Sequence, residues 1–158
     1  DMYKVHIDNF ITLNKHLFKY NKTFKPMFTE LKIESSEWNF IGIIDRVDVN
    51  NNDITIIDYK TGREHPINEY YSQLAIYKKL LQEKHNLDAT KWGVFFSKTG
   101  SFIIEDIKNI EVLKADMRVH VTRNKINEKL SKKNPQWHKI KKYCKWCEYL
   151  DICKPYDD

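Results

Sequence analysis

Two aspartates interrupt the most apolar runs of this chain. Asp45 follows Ile41-Gly42-Ile43-Ile44, and Asp58 follows Ile54-Thr55-Ile56-Ile57. Lys60 stands two residues beyond Asp58, so in an extended strand both side chains project to one face. Tyr59 projects to the other, which leaves its carbonyl near the same edge. If the two runs pair as a hairpin, Asp45 and Asp58 come close enough to share a divalent ion. Two carboxylates, a main-chain carbonyl and waters are the hard oxygen donors that Mg²⁺ or Mn²⁺ prefers. A neighbouring ammonium can hold an attacking water or stabilise charge developing on a phosphate. The plainer alternative is two surface ion pairs, Asp45 with Arg46 and Asp58 with Lys60. Carboxylates at the ends of apolar strands are costly to bury without a counter-charge, however, and a cation supplies one. Gln73 and Tyr77 follow on the next segment, four residues apart and therefore on one face of a helix.

A second constellation closes the chain: Cys144-x-x-Cys147, then Cys153. Three thiols within ten residues, in a chain with no other Cys, suit metal or cluster ligation better than core packing. Zinc held by these thiols and His138 is one reading, and an unligated tail is another. Lys132, Lys133, Trp137, Lys139, Lys141, Lys142, Lys145 and Trp146 surround them. Such a mixture can bind single-stranded nucleic acid by neutralising phosphates and stacking bases, or can be a solvated lysine-rich helix end.

The elements that must position these groups follow from periodicity. Residues 3–20 carry apolar side chains at mostly helical spacing. Residues 28–35 alternate as a strand, with Phe28, Glu30 and Lys32 expected on one face and Thr29, Leu31 and Ile33 on the other. Residues 38–49 and 53–59 form a hairpin across Asn50-Asn51-Asn52, residues that tolerate left-handed backbone. A helix starts near Asn68, expected as its N-cap, and continues through Tyr70, Tyr71, Leu74, Tyr77, Leu80 and Leu81. Strands 92–96 and 102–107 meet at Thr99-Gly100, and a long helix covers 110–130. The fold class is thus α/β or α+β, a small mixed central sheet flanked by helices. Residues 1–133 are expected to form the core and 134–158 a basic, cysteine-containing tail.

Composition sets the outer bounds. In 158 residues, 41% are hydrophobic and 31% charged, a balance that argues against intrinsic disorder. The 27 Lys and Arg against 22 Asp and Glu leave +5, which suits a polyanionic partner. No run approaches a membrane span and nothing N-terminal reads as a signal peptide, so a cytoplasmic protein (or one of a virus-infected host's cytoplasm) is expected. The chain opens at Asp1 rather than Met, which suggests sequence upstream.

Three motifs in order, Gly42-Ile43-Ile44-Asp45-Arg46-Val47-Asp48, Ile57-Asp58-Tyr59-Lys60-Thr61-Gly62 and Gln73-Leu74-Ala75-Ile76-Tyr77, resemble those of RecB-like nucleases of the PD-(D/E)XK superfamily. The resemblance implies a restriction-endonuclease-like core and metal-dependent hydrolysis of DNA. It implies that Asp45 and Asp58 bind the catalytic Mg²⁺ or Mn²⁺, with the Tyr59 carbonyl as a further ligand. Lys60 would assist the attacking water, while Gln73 and Tyr77 would support the site and contact nucleic acid. Glu30 occupies a place where some members put an additional acid. Many members add a histidine from the first helix, for which His6 is preferred over His16.

The cysteine tail, with Tyr149 and Pro155, resembles the C-terminal part of the iron–sulfur staple in nucleases of the Cas-four and AddB types. That implies a 4Fe–4S cluster held by Cys144, Cys147, Cys153 and a fourth Cys upstream of Asp1. The expected function is a DNA exonuclease acting on single-stranded ends, in repair, recombination, phage replication or CRISPR adaptation, with a helicase or other nuclease partner bound or fused and no membrane involvement. Tyr77, Lys141, Lys142 and Trp146 are the expected nucleic-acid contacts. The alternative is a catalytically silent nucleic-acid-binding or scaffold module on the same fold.

Overall fold

The structure, a computed structural model, describes residues 2–21, 25–37, 40–133 and 141–148. Two compact units divide the chain, 1–119 and 120–158. The first carries helix α1 (Met2–Asn21), strands β1 (Phe28–Ser35), β2 (Phe40–Asn50) and β3 (Asp53–Lys60), helix α2 (Tyr71–His85), strands β4 (Lys91–Phe96) and β5 (Ser101–Asp106), and the start of helix α3 (Asn109–Leu130). The second carries the rest of α3 and the short helix α4 (Lys141–Cys144). No helix among the described residues is long and apolar enough to cross a membrane.

One five-stranded mixed sheet runs in the order β1-β2-β3-β4-β5, antiparallel except for the β3–β4 pair. The parallel pair needs a crossover, and α2 supplies it. Because α2 must cover the sheet, one stripe of it is apolar: Leu74, Ala75, Leu80 and Leu81 are buried against Ile44, Val47, Ile56, Trp92, Val94 and Phe96. Each fully buried leucine in that stripe contributes roughly 1.5–3 kcal/mol. On the opposite face Leu13 and Leu17 of α1 pack on Ile57 and Phe95.

The β2–β3 hairpin closes as its asparagines suggest, with Asn51 at φ 54° and Asn50 paired to Asp53. The β4–β5 turn uses Gly100 at φ 76°, a conformation that costs glycine little. Two expectations need correction. Asn68 does not cap α2. A single 3₁₀ turn, Ile67–Glu69, leads into the helix, and Tyr70 at its start has helical angles and makes no side-chain cap. Hydrogen bonds from Glu69 N–H to Pro66 O and from Tyr70 N–H to Ile67 O occupy amides that a cap would otherwise serve. The alternation along β1 also breaks: Phe28, Leu31 and Ile33 all pack into the core on the α2 side. The break falls at Glu30, whose φ of 49° resets which side chains face the helix.

Candidate active site

Alternation along β3 sends Ile54, Ile56, Asp58 and Lys60 toward α2, and Ile57 and Tyr59 toward α1. Asp58 is thereby buried, at 2% exposure, directly after a fully buried isoleucine pair. An ionised carboxylate there requires partners. Gln73 on α2 donates its amide Nε2 to Asp58 Oδ1 at 3.0 Å and to Tyr77 Oη at 2.8 Å. Its Oε1 accepts from Lys60 Nζ at 3.1 Å. Lys60 Nζ also lies 2.7 Å from Asp58 Oδ2 and 5.0 Å from the centre of the Tyr70 ring. One glutamine thus joins the acid, the lysine and the tyrosine.

Asp45 reaches the same end of the sheet by a different device. Strands β2 and β3 pair from Asn50↔Asp53 to Arg46↔Ile57, and then part. The Tyr59 amide beyond that point would lack a strand partner, and Asp45 Oδ2 accepts its hydrogen at 2.6 Å. Burial pushes the Asp58 carboxyl above the ordinary carboxylate range. The Lys60 ammonium pulls against that shift, and the negative charge of Asp45 adds to it. Burial likewise raises the Tyr77 phenol.

Asp58 Oδ2 is buried and, apart from its ion pair with the Lys60 ammonium, has no hydrogen-bond partner among the described residues. A buried carboxylate oxygen with spare lone pairs beside a second carboxylate fits a hard divalent cation. Among the described residues no three His, Cys, Asp or Glu side chains gather as a metal site. The structure therefore brings together Asp45, Asp58, Lys60, Gln73 and Tyr77, and leaves His6 and Glu30 outside the carboxylate pair. His6 is tied instead to Ser97, with Nδ1 at 2.8 Å from Oγ, and Ser97 binds the Lys60 carbonyl through both its amide and its hydroxyl. Glu30 lies across from Asp45 in the β1–β2 register, but no strand pairing joins them and its side chain is exposed. His16, also exposed, lies on the α1 side of the sheet beside Leu17, Asp48 and Ile57.

Arg46 is not the partner of Asp45. It turns to the α1 face, where Nε meets Asp48 Oδ1 at 2.8 Å and Nη1 meets Asn14 Oδ1 at 2.6 Å, both Arg46 and Asp48 being buried. The spacing of Arg46 and Asp48, i and i+2 on a strand, was the available signal for that pair. Gly42 is a further supporting residue, since its missing side chain lets Tyr77 and Leu80 close on β2.

In the second unit, Cys144 is half-buried and Cys147 exposed, linked by a 3.0 Å bond from Cys147 N–H to Cys144 O. Lys142 is exposed, and Trp146 is exposed with Lys145 Nζ 4.1 Å from its ring centre. The backbone of Lys141 opens α4. Cys153, Trp137, His138, Lys139, Tyr149 and Pro155 lie outside the described residues.

Comparison with known proteins bears on the family and the fold. The family profile described as "PD-(D/E)XK nuclease superfamily" matches residues 7–154. No curated protein matches. Among solved structures the fold is similar to that of a protein from Eubacterium rectale named "Putative exonuclease", with a TM-score of 0.50 and 10% identity. The match covers 77% of this chain and 51% of that one, so this chain spans about half that protein's length.

Proposed function

The chain belongs to the PD-(D/E)XK nuclease superfamily, and from that premise we propose that it is a divalent-metal-dependent deoxyribonuclease with Asp45, Asp58 and Lys60 at its centre. The observation that carries the reading is the buried Asp58 Oδ2, which lacks a hydrogen bond and has Lys60 Nζ 2.7 Å away. Asp45, Asp58 and the Tyr59 carbonyl would hold Mg²⁺ or Mn²⁺. When bound, the ion lowers the pKa of a ligated water and offsets charge on the scissile phosphate.

The chain's own side chains account for the remainder. Lys60 sits where its ammonium can steady negative charge on a phosphate or orient the attacking water. Gln73 holds Lys60 and Asp58 in place by bonding to both. Tyr77 fixes the second amide hydrogen of Gln73 and so its orientation. In the reaction a water oxygen bonds to phosphorus, one P–O ester bond breaks, and the departing oxygen takes a proton. We further propose single-stranded DNA ends as the substrate; the exonuclease name of the structural relative bears on action at ends alone. The thiols of Cys144, Cys147 and Cys153, with a fourth, are proposed to hold an iron–sulfur cluster; visible charge-transfer absorption of anaerobically purified protein tests that separately.

The test of catalysis is cleavage of end-labelled single-stranded DNA with Mn²⁺, with Mg²⁺ and with EDTA. Activity should vanish in EDTA, and Asp58→Ala and Lys60→Ala should each reduce it by roughly 10²–10³-fold or more. Full activity in both variants would assign the chemistry elsewhere.

A further inference from the structure

The turn between β4 and β5 holds more of the molecule than its length suggests. It closes through the amides of Thr99 and Gly100, which donate to the Phe96 carbonyl at 3.2 and 2.8 Å. From α1, Asn9 donates Nδ2 to the carbonyls of Ser97 and Lys98 at 2.9 and 3.3 Å. A Cβ at Gly100 would lie 3.0 Å from Asn9 Oδ1, so the missing side chain admits that close approach. From the loop after β3, Glu64 accepts from Ser101 Oγ at 2.6 Å and from Thr99 Oγ1 at 3.2 Å. Ser97 itself reaches the last residue of β3. Its amide and its hydroxyl both donate to the Lys60 carbonyl, at 2.9 and 3.2 Å, which occupies both lone pairs of that oxygen. A hydroxyl has one hydrogen to give. The 2.8 Å contact between Ser97 Oγ and His6 Nδ1 therefore requires the imidazole to carry a hydrogen on Nδ1.

We propose that Ser97 is a positioning residue for Lys60, and that His6 fixes the Ser97 hydroxyl in that task. The role rests on the nuclease reading and gives its lysine a seat. Lys60 ends β3, and the last peptide of a strand can rotate when one bond alone restrains it. Two donors on one carbonyl fix that peptide plane, and with it the direction in which the lysine stem leaves the backbone. The far end of the stem is fixed separately, by Asp58 Oδ2 at 2.7 Å and Gln73 Oε1 at 3.1 Å. A four-carbon stem held at both ends has few rotamers left, so its ammonium stays near one point. Displacement by about 1 Å at such a point is enough to slow a reaction about 10²-fold. The seat is itself braced, because Asn9 binds the turn to α1 and Glu64 binds it to the loop that follows Lys60. Were Ser97 an ordinary strand-end contact, it would add stability and nothing specific to the lysine.

The experiment is single-turnover cleavage of end-labelled single-stranded DNA by the full chain in saturating Mn²⁺, with oligonucleotide binding in EDTA and melting curves measured beside it. Ser97→Ala, which keeps the amide bond, should slow cleavage about 3- to 10-fold, the scale of one neutral hydrogen bond, and leave binding unchanged. Ser97→Thr keeps a hydroxyl and should cleave within about twofold of the parent. In the Lys60→Ala background, Ser97→Ala should change the residual rate by less than about twofold, since it acts through the lysine. His6→Ala should slow cleavage as Ser97→Ala does, and His6→Asn, whose amide stands near the Nδ1 position, should recover it. The Mn²⁺ concentration for half activity should stay the same in all of them. Two-bond proton–nitrogen NMR of the metal-free chain should show the neutral His6 ring protonated at Nδ1. If Ser97→Ala fails to fold, the His6 variants and the tautomer decide the matter. Equal losses from Ser97→Ala with and without Lys60, full activity of folded Ser97→Ala, a raised Mn²⁺ requirement in His6→Ala, or a neutral His6 ring protonated at Nε2 overturns the proposal. An inactive parent or a fully active Lys60→Ala removes the nuclease reading, and this seat with it. A strongly impaired Lys60→Ala beside a fully active Ser97→Ala removes the seat alone.

Discussion

Gly42→Ala connects packing to chemistry in a single methyl group. A Cβ at this position would lie 2.8 Å from Leu80 Cδ1 and 3.3 Å from Tyr77 Cε1. Carbon atoms pack best at about 3.5–4.0 Å, so the leucine contact is short by about 1 Å. Leu80 is fully buried and has no space to withdraw into without moving its neighbours. Overpacking of this kind costs about 1–3 kcal/mol, and the narrower unfolded ensemble of alanine returns about 0.4–1 kcal/mol. The net loss of roughly 1–2 kcal/mol should lower the melting temperature by roughly 2–8 °C at this chain size. Tyr77 is only half-buried and will yield more readily than Leu80, carrying its hydroxyl away from Gln73. Gln73 then loses the contact that orients it toward Asp58 and Lys60, and turnover should fall about 10- to 100-fold. Thermal melts and single-turnover cleavage measure the two effects on one preparation. Tyr77→Phe should reproduce the loss of turnover with little change in melting, and Gly42→Ala/Leu80→Val should recover melting by removing the closest contact. A Gly42→Ala protein that melts and cleaves like the parent would refute the account of how α2 is seated.

Other perturbations test the buried charges. Asp58→Asn should abolish cleavage yet stabilise the metal-free protein at neutral pH by about 0.5–2 kcal/mol, because an acidic group raised by burial is held ionised at a cost. For a folded-state pKa above the unfolded one, wild-type stability is fullest at low pH and declines as pH rises through the folded value. The advantage of the asparagine should therefore disappear below about pH 4, where the aspartate is neutral in both states; denaturant titrations at several pH values measure it. Saturating Mn²⁺, at about 100 times its Kd, should stabilise the wild type by about 2.7 kcal/mol and leave Asp58→Asn nearly unmoved in the same melts. Arg46→Met strands the buried Asp48 carboxylate, one of whose oxygens already lacks a hydrogen bond, and should cost about 3–5 kcal/mol in urea unfolding. Arg46→Met/Asp48→Leu should recover most of that.

Strand and helix positions were open to reading from the residues. Hydrophobic period distinguishes a half-buried strand from an amphipathic helix, and both patterns are local. The strand expected at 28–35 is β1, and the long helix expected at 110–130 is α3 within one residue. Chemical type was equally local: an acid and a lysine two apart on a strand share a face whatever else the chain does, and so do a glutamine and a tyrosine four apart on a helix. What spacing could not supply was direction at the break. The left-handed backbone of Glu30, the change of facing in β1 and the parting of β2 from β3 depend on neighbours far away in the chain. Hence Arg46, which the plainer alternative paired with Asp45, lies instead on the α1 face with Asp48 and Asn14. His6 and Glu30 were expected at the carboxylates; helix α1 delivers His6 to Ser97, one shell of contacts away.

The residues by themselves determined which groups exist, which element each rides on and which face it takes along an unbroken strand or helix, because those follow from backbone repeat. Tertiary structure alone decided how the two aspartates meet. A strand pair had to open so that one carboxylate could take the amide hydrogen of Tyr59, and a helix had to settle on Gly42 so that one glutamine could hold acid and lysine together. Those contacts join positions distant in the chain, and the free energy that selects them comes from packing the whole sheet between its helices rather than from any local run.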